Sequence, residues 1–362
     1  MDRSVLRILD ASFNRAREGL RVIEDHARML FDDASLALRA KQLRHQLADV
    51  ARSFDADALL AARDTPGDVG TRITTGGEQL RPDAESVARA AAKRAAEAMR
   101  AIEEYGKLLD ADVAARIRQL RYELYAVEQA LFIAAPRSAA ARNARLHVLL
   151  TASLCRGDWL GVAEAVLRGG ADVIQLREKN LTDRALLDRA SRLRQLTRDH
   201  DALLIINDRP DIAVLADADG VHVGEEDLTV ADARRIVGPM RLVGASTHNL
   251  AEVREAMKDG PDYLGVGPMF ASSTKPDVTV NSPELLRTVH DALAADDAIT
   301  PLVAIGGITA DNVARIASIA SSRKQPSDGT GSQISIAVAV CNAVIAADQP
   351  EEAARKIRAA LK

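Results

Sequence analysis

Cysteine is nearly absent from this 362-residue chain: Cys155 and Cys341 are the only two. Two thiols cannot build a disulfide framework, and no CxxC pair offers a soft metal site, so a reducing cytosol is the expected compartment. Long apolar runs are missing too. The longest, residues 334–347, falls short of the roughly 20 residues that span a bilayer and contains Asn342. It reads as a buried strand followed by the start of a helix. Residues 1–7 lack the apolar stretch of a signal peptide. The expectation is a cytoplasmic protein without a membrane partner. Excess positive charge is also lacking: the net charge is −4 and the pI near 6.0. That argues against a broad nucleic-acid surface, which needs a basic patch, but leaves room for a small basic pocket. No GxxxxGK[ST] phosphate loop occurs, and no GxGxxG follows the first strand of the second half.

What is present divides into two halves. The length allows two domains, and 47% hydrophobic with 28% charged residues is ordinary globular composition. Residues 1–135 repeat apolar side chains at helical spacing, as in Leu6, Leu9, Phe13 and then Leu20, Ile23, Ala27, Leu30. They are rich in the good helix formers Ala, Leu, Arg and Glu. The main break is the turn-rich stretch 64–71. Residues 18–25, EGLRVIED, parallel residues 97–104, EAMRAIEE, and LRHQL at 43–47 parallels LRYEL at 120–124. Two related helical hairpins in one all-α bundle explain this pattern.

Residues 136–145 show no clear apolar period and read as a linker. Beyond them, short apolar runs alternate with helical stretches, as βα units require. Eight runs are expected as strands: 146–152, 173–176, 203–207, 220–223, 241–245, 263–266, 302–305 and 334–340. Eight such units over residues 146–362 predict a (β/α)8 barrel, with a doubly wound sheet as the alternative.

Working residues of a (β/α)8 barrel lie at the C-terminal strand ends and in the loops that follow. Polar residues concentrate there: Gln175-Leu176-Arg177-Glu178-Lys179 after run two, Asn207-Asp208-Arg209 after run three, Asp227 after run four, Ser246-Thr247-His248 after run five, Ser272-Ser273-Thr274-Lys275 after run six and Gly306-Gly307 after run seven. Singly, each has an ordinary explanation as a solvated charge, a helix N-cap or a tight turn. Together they make one polar rim. Asp208 and Asp227 are hard oxygen ligands of the kind Mg²⁺ takes beside phosphate oxygens. Arg177, Lys179 and Lys275 supply positive charge, with Arg suited to bidentate phosphate contact. Ser246, Ser272, Ser273 and Thr274 add donors, and Gly307 lets backbone N–H groups approach a phosphate. No activated nucleophile stands out. Cys155 and Cys341 read as packing residues, His222 as a strand residue in the core or behind the site, and His248 as a rim residue.

These stretches resemble the thiamine-phosphate synthase family: QLREK at 175–179, INDR at 206–209, DGVHVGEED at 219–227, GASTH at 244–248, DYLGVGPMFASSTK at 262–275 and AIGGI at 304–308, in family order. The resemblance implies a Mg²⁺-dependent coupling of hydroxymethylpyrimidine diphosphate to a phosphoethyl-methylthiazole, with release of pyrophosphate. It implies pyrimidine diphosphate contacts at Gln175, Arg177, Lys179, Asn207, Ser246 and Lys275, with Leu176 and Glu178 in the same segment. It implies metal ligation at Asp208 and Asp227, and thiazole-phosphate contacts around Ser272, Thr274 and Gly307. Arg177, Lys179 and Lys275 are the expected catalytic cations. Two departures stand out: Ala271-Ser272 replaces the family's usual Pro-Thr, and Cys341-Asn342 follows an inserted polar stretch at 321–332. A related isomerase barrel and a non-catalytic ligand-binding regulator are the rival readings. The retained cations and the Asp pair favour coupling.

Residues 1–135 resemble a helical domain fused ahead of this barrel in some bacteria, through RAREGLRVIED at 15–25 and RDTPGDVGT at 63–71. That resemblance implies a hydroxymethylpyrimidine-phosphate kinase. An oligomerisation or tethering module is the alternative. The expected partners are small molecules only, and a homo-oligomer is compatible with the sequence.

Overall fold

The computed structural model describes residues 2–72, 80–271, 282–296, 298–321 and 334–361. They form two compact units, Met1–Pro136 and Arg137–Lys362.

The first unit is all helical. Its helices are α1 (Arg3–Met29), α2 (Ala34–Ala51), α3 (Ala56–Ala62), α4 (Ala84–Gly106) and α5 (Ala111–Gln129). Each starts at an aspartate, namely Asp2, Asp33, Asp55, Asp83 and Asp110, whose carboxylate accepts backbone N–H groups of the first turn. Such a cap satisfies donors that the helix itself leaves free. The apolar stripes of α1, α2, α4 and α5 meet in one core around Leu9, Leu20, Ile23, Leu47, Met99, Ile102 and Ile117. Helices α1 and α4 approach closely at Gly19, where a Cβ would lie 2.7 Å from the Ala91 carbonyl oxygen.

The internal sequence parallel becomes a pair of matching ion clusters. Glu24 on α1 accepts from Arg44 on α2 at 3.0 Å and pairs with Arg21. Glu103 on α4 accepts from Arg121 on α5 at 3.1 Å, and also from Arg100 and Arg118. The two glutamates occupy equivalent places in the repeated segments, and so do Arg44 and Arg121. Burial alone pushes the Glu103 carboxyl up, but its three guanidinium partners outweigh that and hold it below the usual carboxylate range.

The expected linker is instead mostly helix, α6 (Ala135–Asn143). Its Ala-rich composition favours a helix, and Pro136 stands just after a π-helical turn at Ala130–Ala134. Ala141 and Ala144 pack on Val173, Ile205 and Leu242 at the N-terminal end of the sheet. The apolar period was hidden because small alanines, not large side chains, make this contact.

The second unit is a closed parallel barrel of eight strands in sequential order. The strands are β1 (Leu146–Leu150), β2 (Val173–Leu176), β3 (Leu203–Asn207), β4 (Gly220–Val223), β5 (Leu242–Thr247), β6 (Tyr263–Val266), β7 (Leu302–Ile305) and β8 (Ile336–Val340). Helices α7 (Trp159–Arg168), α8 (Asp183–Asp199), α9 (Pro210–Leu215), α10 (Val230–Val237), α11 (Leu250–Lys258), α12 (Ser282–Ala295) and α13 (Val313–Ser321) alternate with them, and α14 (Asn342–Ile345) and α15 (Pro350–Ala359) close the chain. Side chains alternate in direction along a strand. One set, including Val148, Ile174, Ile206, Val221 and Leu264, packs against the helices. The other set, including Leu149, Tyr263, Val303, Ala337 and Ala339, fills the barrel.

An aspartate precedes three of the four even-numbered strands. Asp172, Asp219 and Asp262 stand just before β2, β4 and β6 and accept from the backbone N–H groups of Leu146, Leu204 and Val243. Arg358, Arg194 and Arg234 balance their charges. This repeated device satisfies strand starts at the end of the barrel opposite the rim.

Candidate active site

The C-terminal strand ends surround a cavity of about 780 Å³. Of the residues expected in the site, Gln175, Arg177, Lys179, Asn207, Asp208, Asp227, Ser246 and Gly307 all line it. They come from β2, β3, β5 and the loops after β2, β3, β4 and β7, so only barrel closure brings them together. Ser272, Ser273, Thr274 and Lys275 lie outside the described residues, as does nearly all of the polar stretch 321–332. Cys341, Asn342 and Ala343, after β8, also line the cavity.

Two expected contact residues point elsewhere. Leu176 is 1% exposed and belongs to the core between sheet and helices. Strand alternation sends it outward because Gln175 faces inward. Glu178 accepts from the Ala152 N–H at 2.8 Å and pairs with Arg189 on α8. It ties the loop after β1 to a helix and does not line the cavity.

Asp208 sits in the left-handed backbone region, with φ of +63°. Aspartate is one of the few residues that tolerates this conformation. Its N–H donates to the His222 carbonyl at 2.8 Å, which pins the turn to β4. Lys179 Nζ lies 3.0 Å from Asp208 Oδ2. Asp227 accepts from the Gly224 N–H at 2.9 Å and lies close enough to Asp208 for the two carboxyls to interact. Burial first, and then Asp227, push the Asp208 carboxyl up, while Lys179 opposes them. Two carboxylates in such contact repel unless a proton or a cation sits between their charges. This pair of hard oxygen donors fits a divalent cation of the Mg²⁺ class.

Ser246 and Thr247 belong to β5 and not to the loop after it. Ser246 faces the barrel interior, and Thr247 donates to the Gly265 carbonyl at 3.0 Å. Below Ser246 lies a polar group that the pattern of rim residues does not reveal. His222 Nε2 is 2.9 Å from Ser246 Oγ, and His222 Nδ1 is 3.2 Å from the Tyr263 hydroxyl. The Gln175 side chain lies beside the Tyr263 hydroxyl. His147 packs beside Tyr263, with ring centroids 5.6 Å apart. Burial lowers His147 to about 3 and His222 to about 4, so both are neutral at pH 7. Burial raises the Tyr263 phenol as well. The available sequence signal was parity: His222 is two residues from Gly220, and glycines at 244 on β5 and 265 on β6 leave space for its ring and for Tyr263.

His248 also lines the cavity, and its Nδ1 is 3.0 Å from Glu252 Oε2. The two thiols are not activated. Burial pushes Cys155 up to about 11 and raises Cys341 too, so both are protonated at neutral pH. Among the described residues no helix is long and apolar enough to cross a membrane.

Comparison with known proteins agrees with this geometry. A family profile described as thiamine monophosphate synthase matches residues 146–322, and the ThiD2 family profile matches residues 7–130. A thiamine-phosphate synthase of Rhodopirellula baltica is 44% identical over 321 residues, covering 87% of this chain and 85% of its own. One from Synechocystis sp. is 41% identical over 313 residues, covering 86% and 88%. A solved thiamine phosphate pyrophosphorylase of Pyrococcus furiosus is 34% identical with a TM-score of 0.51, covering 61% of this chain and 96% of that one.

Proposed function

The chain belongs to the thiamine-phosphate synthase family, and from that premise we propose how its own residues carry the transferase reaction. The pyrimidine methylene carbon loses its bond to the diphosphate oxygen and gains one to the thiazole nitrogen, and pyrophosphate departs with the bonding electrons. The observation that supports this reading is the convergence of Arg177, Lys179, Asp208, Asp227, Asn207 and Ser246 on one cavity. No protein nucleophile is needed, and the raised thiols are poorly suited to be one.

Arg177 and Lys179 bind the diphosphate and stabilise the charge that grows on it as the C–O bond breaks. Lys275 is assigned the same role by its motif. Gln175, Asn207 and Ser246 orient the pyrimidine diphosphate, which keeps the reacting carbon facing the thiazole. Ser272, Thr274 and the Gly307 backbone hold the thiazole phosphate, with Ser273 in the same substrate-binding loop. Asp208 and Asp227 hold Mg²⁺; when bound, this ion neutralises charge on the pyrophosphate. The working boundary is a coupling domain over 146–362 in a cytoplasmic enzyme. The test is pyrophosphate release by the full chain with both substrates, with and without Mg²⁺. Release that ignores Mg²⁺ removal overturns the metal assignment, and no release overturns the coupling roles.

For residues 1–135 the kinase reading is favoured by the ThiD2 match and by one local feature. Arg63 forms a two-pronged pair with Asp10 at 2.8 Å, and Arg7 donates to the Asp64 carbonyl at 3.0 Å. The 63–68 segment is thereby held on α1 with charged groups fixed in place. This unit phosphorylates the pyrimidine monophosphate and so supplies the barrel's substrate. The full chain given ATP, Mg²⁺ and the monophosphate, without the thiazole, should accumulate the diphosphate. None formed by folded protein leaves the tethering role.

A further inference from the structure

We propose that His222 is a positioning residue for coupling: its Nε2–H holds Ser246 Oγ so that the serine proton points into the cavity, at the end of a buried chain Tyr263–His222–Ser246. This deepens the coupling reading and rests on it.

The direction of the chain follows from counting donors. Burial raises the Tyr263 phenol, so it keeps its proton, and a buried hydroxyl gives that proton to an available acceptor. His222 Nδ1 stands 3.2 Å from the Tyr263 oxygen. A neutral imidazole has one donor and one acceptor. Nδ1 accepts, so Nε2 carries the proton, and Ser246 Oγ at 2.9 Å receives it. A hydroxyl that accepts this bond keeps its own proton for the cavity, where Arg177 and Lys179 mark an anion site. The reverse polarity would spend the serine proton on His222 and turn lone pairs toward that anion.

The surroundings are shaped for this chain and not merely filled by it. Gly244 lies beside Tyr263, and a Cβ there would fall 2.1 Å from the ring. A Cβ at Gly265 would fall 3.2 Å from His222 Cε1. The His222 and Tyr263 rings stack with centroids 5.5 Å apart and an interplanar angle of 26°. An apolar side chain would fill the His222 position without the cost of burying polar atoms. The imidazole is therefore kept for its two nitrogens.

Two measurements on the full chain test this. The first is a ¹⁵N–¹H correlation spectrum of histidine-labelled protein at neutral pH, with the His222 signal identified by its loss in His222→Gln. A protonated Nε2 and bare Nδ1 are expected; a protonated Nδ1 overturns the proposal whether or not any variant folds. The second is a double-variant cycle. His222→Leu and Ser246→Ala should each lower kcat/KM for the pyrimidine diphosphate about tenfold, chiefly through KM, since one hydrogen bond to a charged group is lost in both. Combined, they should cost no more than one alone, and His222→Gln should recover most of the loss. Additive losses in folded protein, or an unchanged KM in His222→Leu, overturn it. Failure of the coupling reading looks different: wild-type chain would release no pyrophosphate while the tautomer stayed as expected.

Discussion

Lys179 Nζ stands 3.0 Å from Asp208 Oδ2, on the same carboxyl group whose titration Asp227 pushes up. One ammonium thus offsets part of the repulsion between two acids, and the turn that carries Asp208 holds it at a positive φ.

That arrangement makes Asp208→Asn the clean probe of the metal role. Asparagine tolerates the left-handed backbone, so the barrel should melt within a degree or two of wild type, whereas Asp208→Ala adds roughly 1 kcal/mol of strain. Coupling by Asp208→Asn should fall at least about a hundredfold, as expected when a charged group that stabilises the transition state is lost. Near-normal pyrophosphate release by the folded variant would sink the assignment.

The buried histidines predict a sloping acid limb for barrel stability. His147 and His222 have folded values lowered to about 3 and about 4, below the ordinary 6.5. Below pH 6.5 the unfolded chain therefore binds more protons than the folded one. Stability is full above that pH and drains as pH falls toward 4 for His222 and toward 3 for His147, by up to about 1.4 kcal/mol per pH unit per histidine. Trp159 is the chain's single tryptophan and lies in α7, so its fluorescence reports barrel unfolding. Urea titrations at pH 7 and pH 5 should show a smaller pH difference in His147→Leu than in wild type. Equal differences would refute the assignment.

Glu103 is the carboxylate on which the first unit depends most. It is 1% exposed and has three arginine partners, of which Arg100 and Arg118 are half exposed. Glu103→Ala should cost roughly 2–3 kcal/mol, below the range for a fully buried pair because two of the orphaned guanidiniums can rehydrate. A loss under 0.5 kcal/mol in denaturant unfolding of the first unit would contradict this.

Gly19→Ala should destabilise the first unit even though alanine is the better helix former by about 1 kcal/mol. The added methyl would press on the Ala91 carbonyl of α4. Differential scanning calorimetry decides the sign: a raised Tm would mean that α1 and α4 separate without penalty.

Much of this protein was legible from local pattern. Helical spacing in residues 1–135 and short apolar runs beyond them follow from side-chain periodicity, and periodicity is a property of neighbours in sequence. The rim motifs lay at strand ends because chain order alone places them there. The repeated EGLRVIED and EAMRAIEE segments even anticipated the Glu24 and Glu103 clusters. The direction in which a side chain points was a different matter. Gln175, Leu176, Arg177, Glu178 and Lys179 form one motif, yet only three of the five line the cavity, because strand parity and a bond to the loop after β1 turn the other two away. The alanines of α6 pack on the sheet only because a closed sheet offers them a floor of strand starts. His222, Tyr263 and Gln175 are 47 and 88 residues apart at their nearest and farthest from Gln175, and no spacing rule connects them. Barrel closure brought β2, β4, β5 and β6 around one interior, and the hydrogen-bonding needs of buried polar atoms then joined His222 to Tyr263 and Ser246.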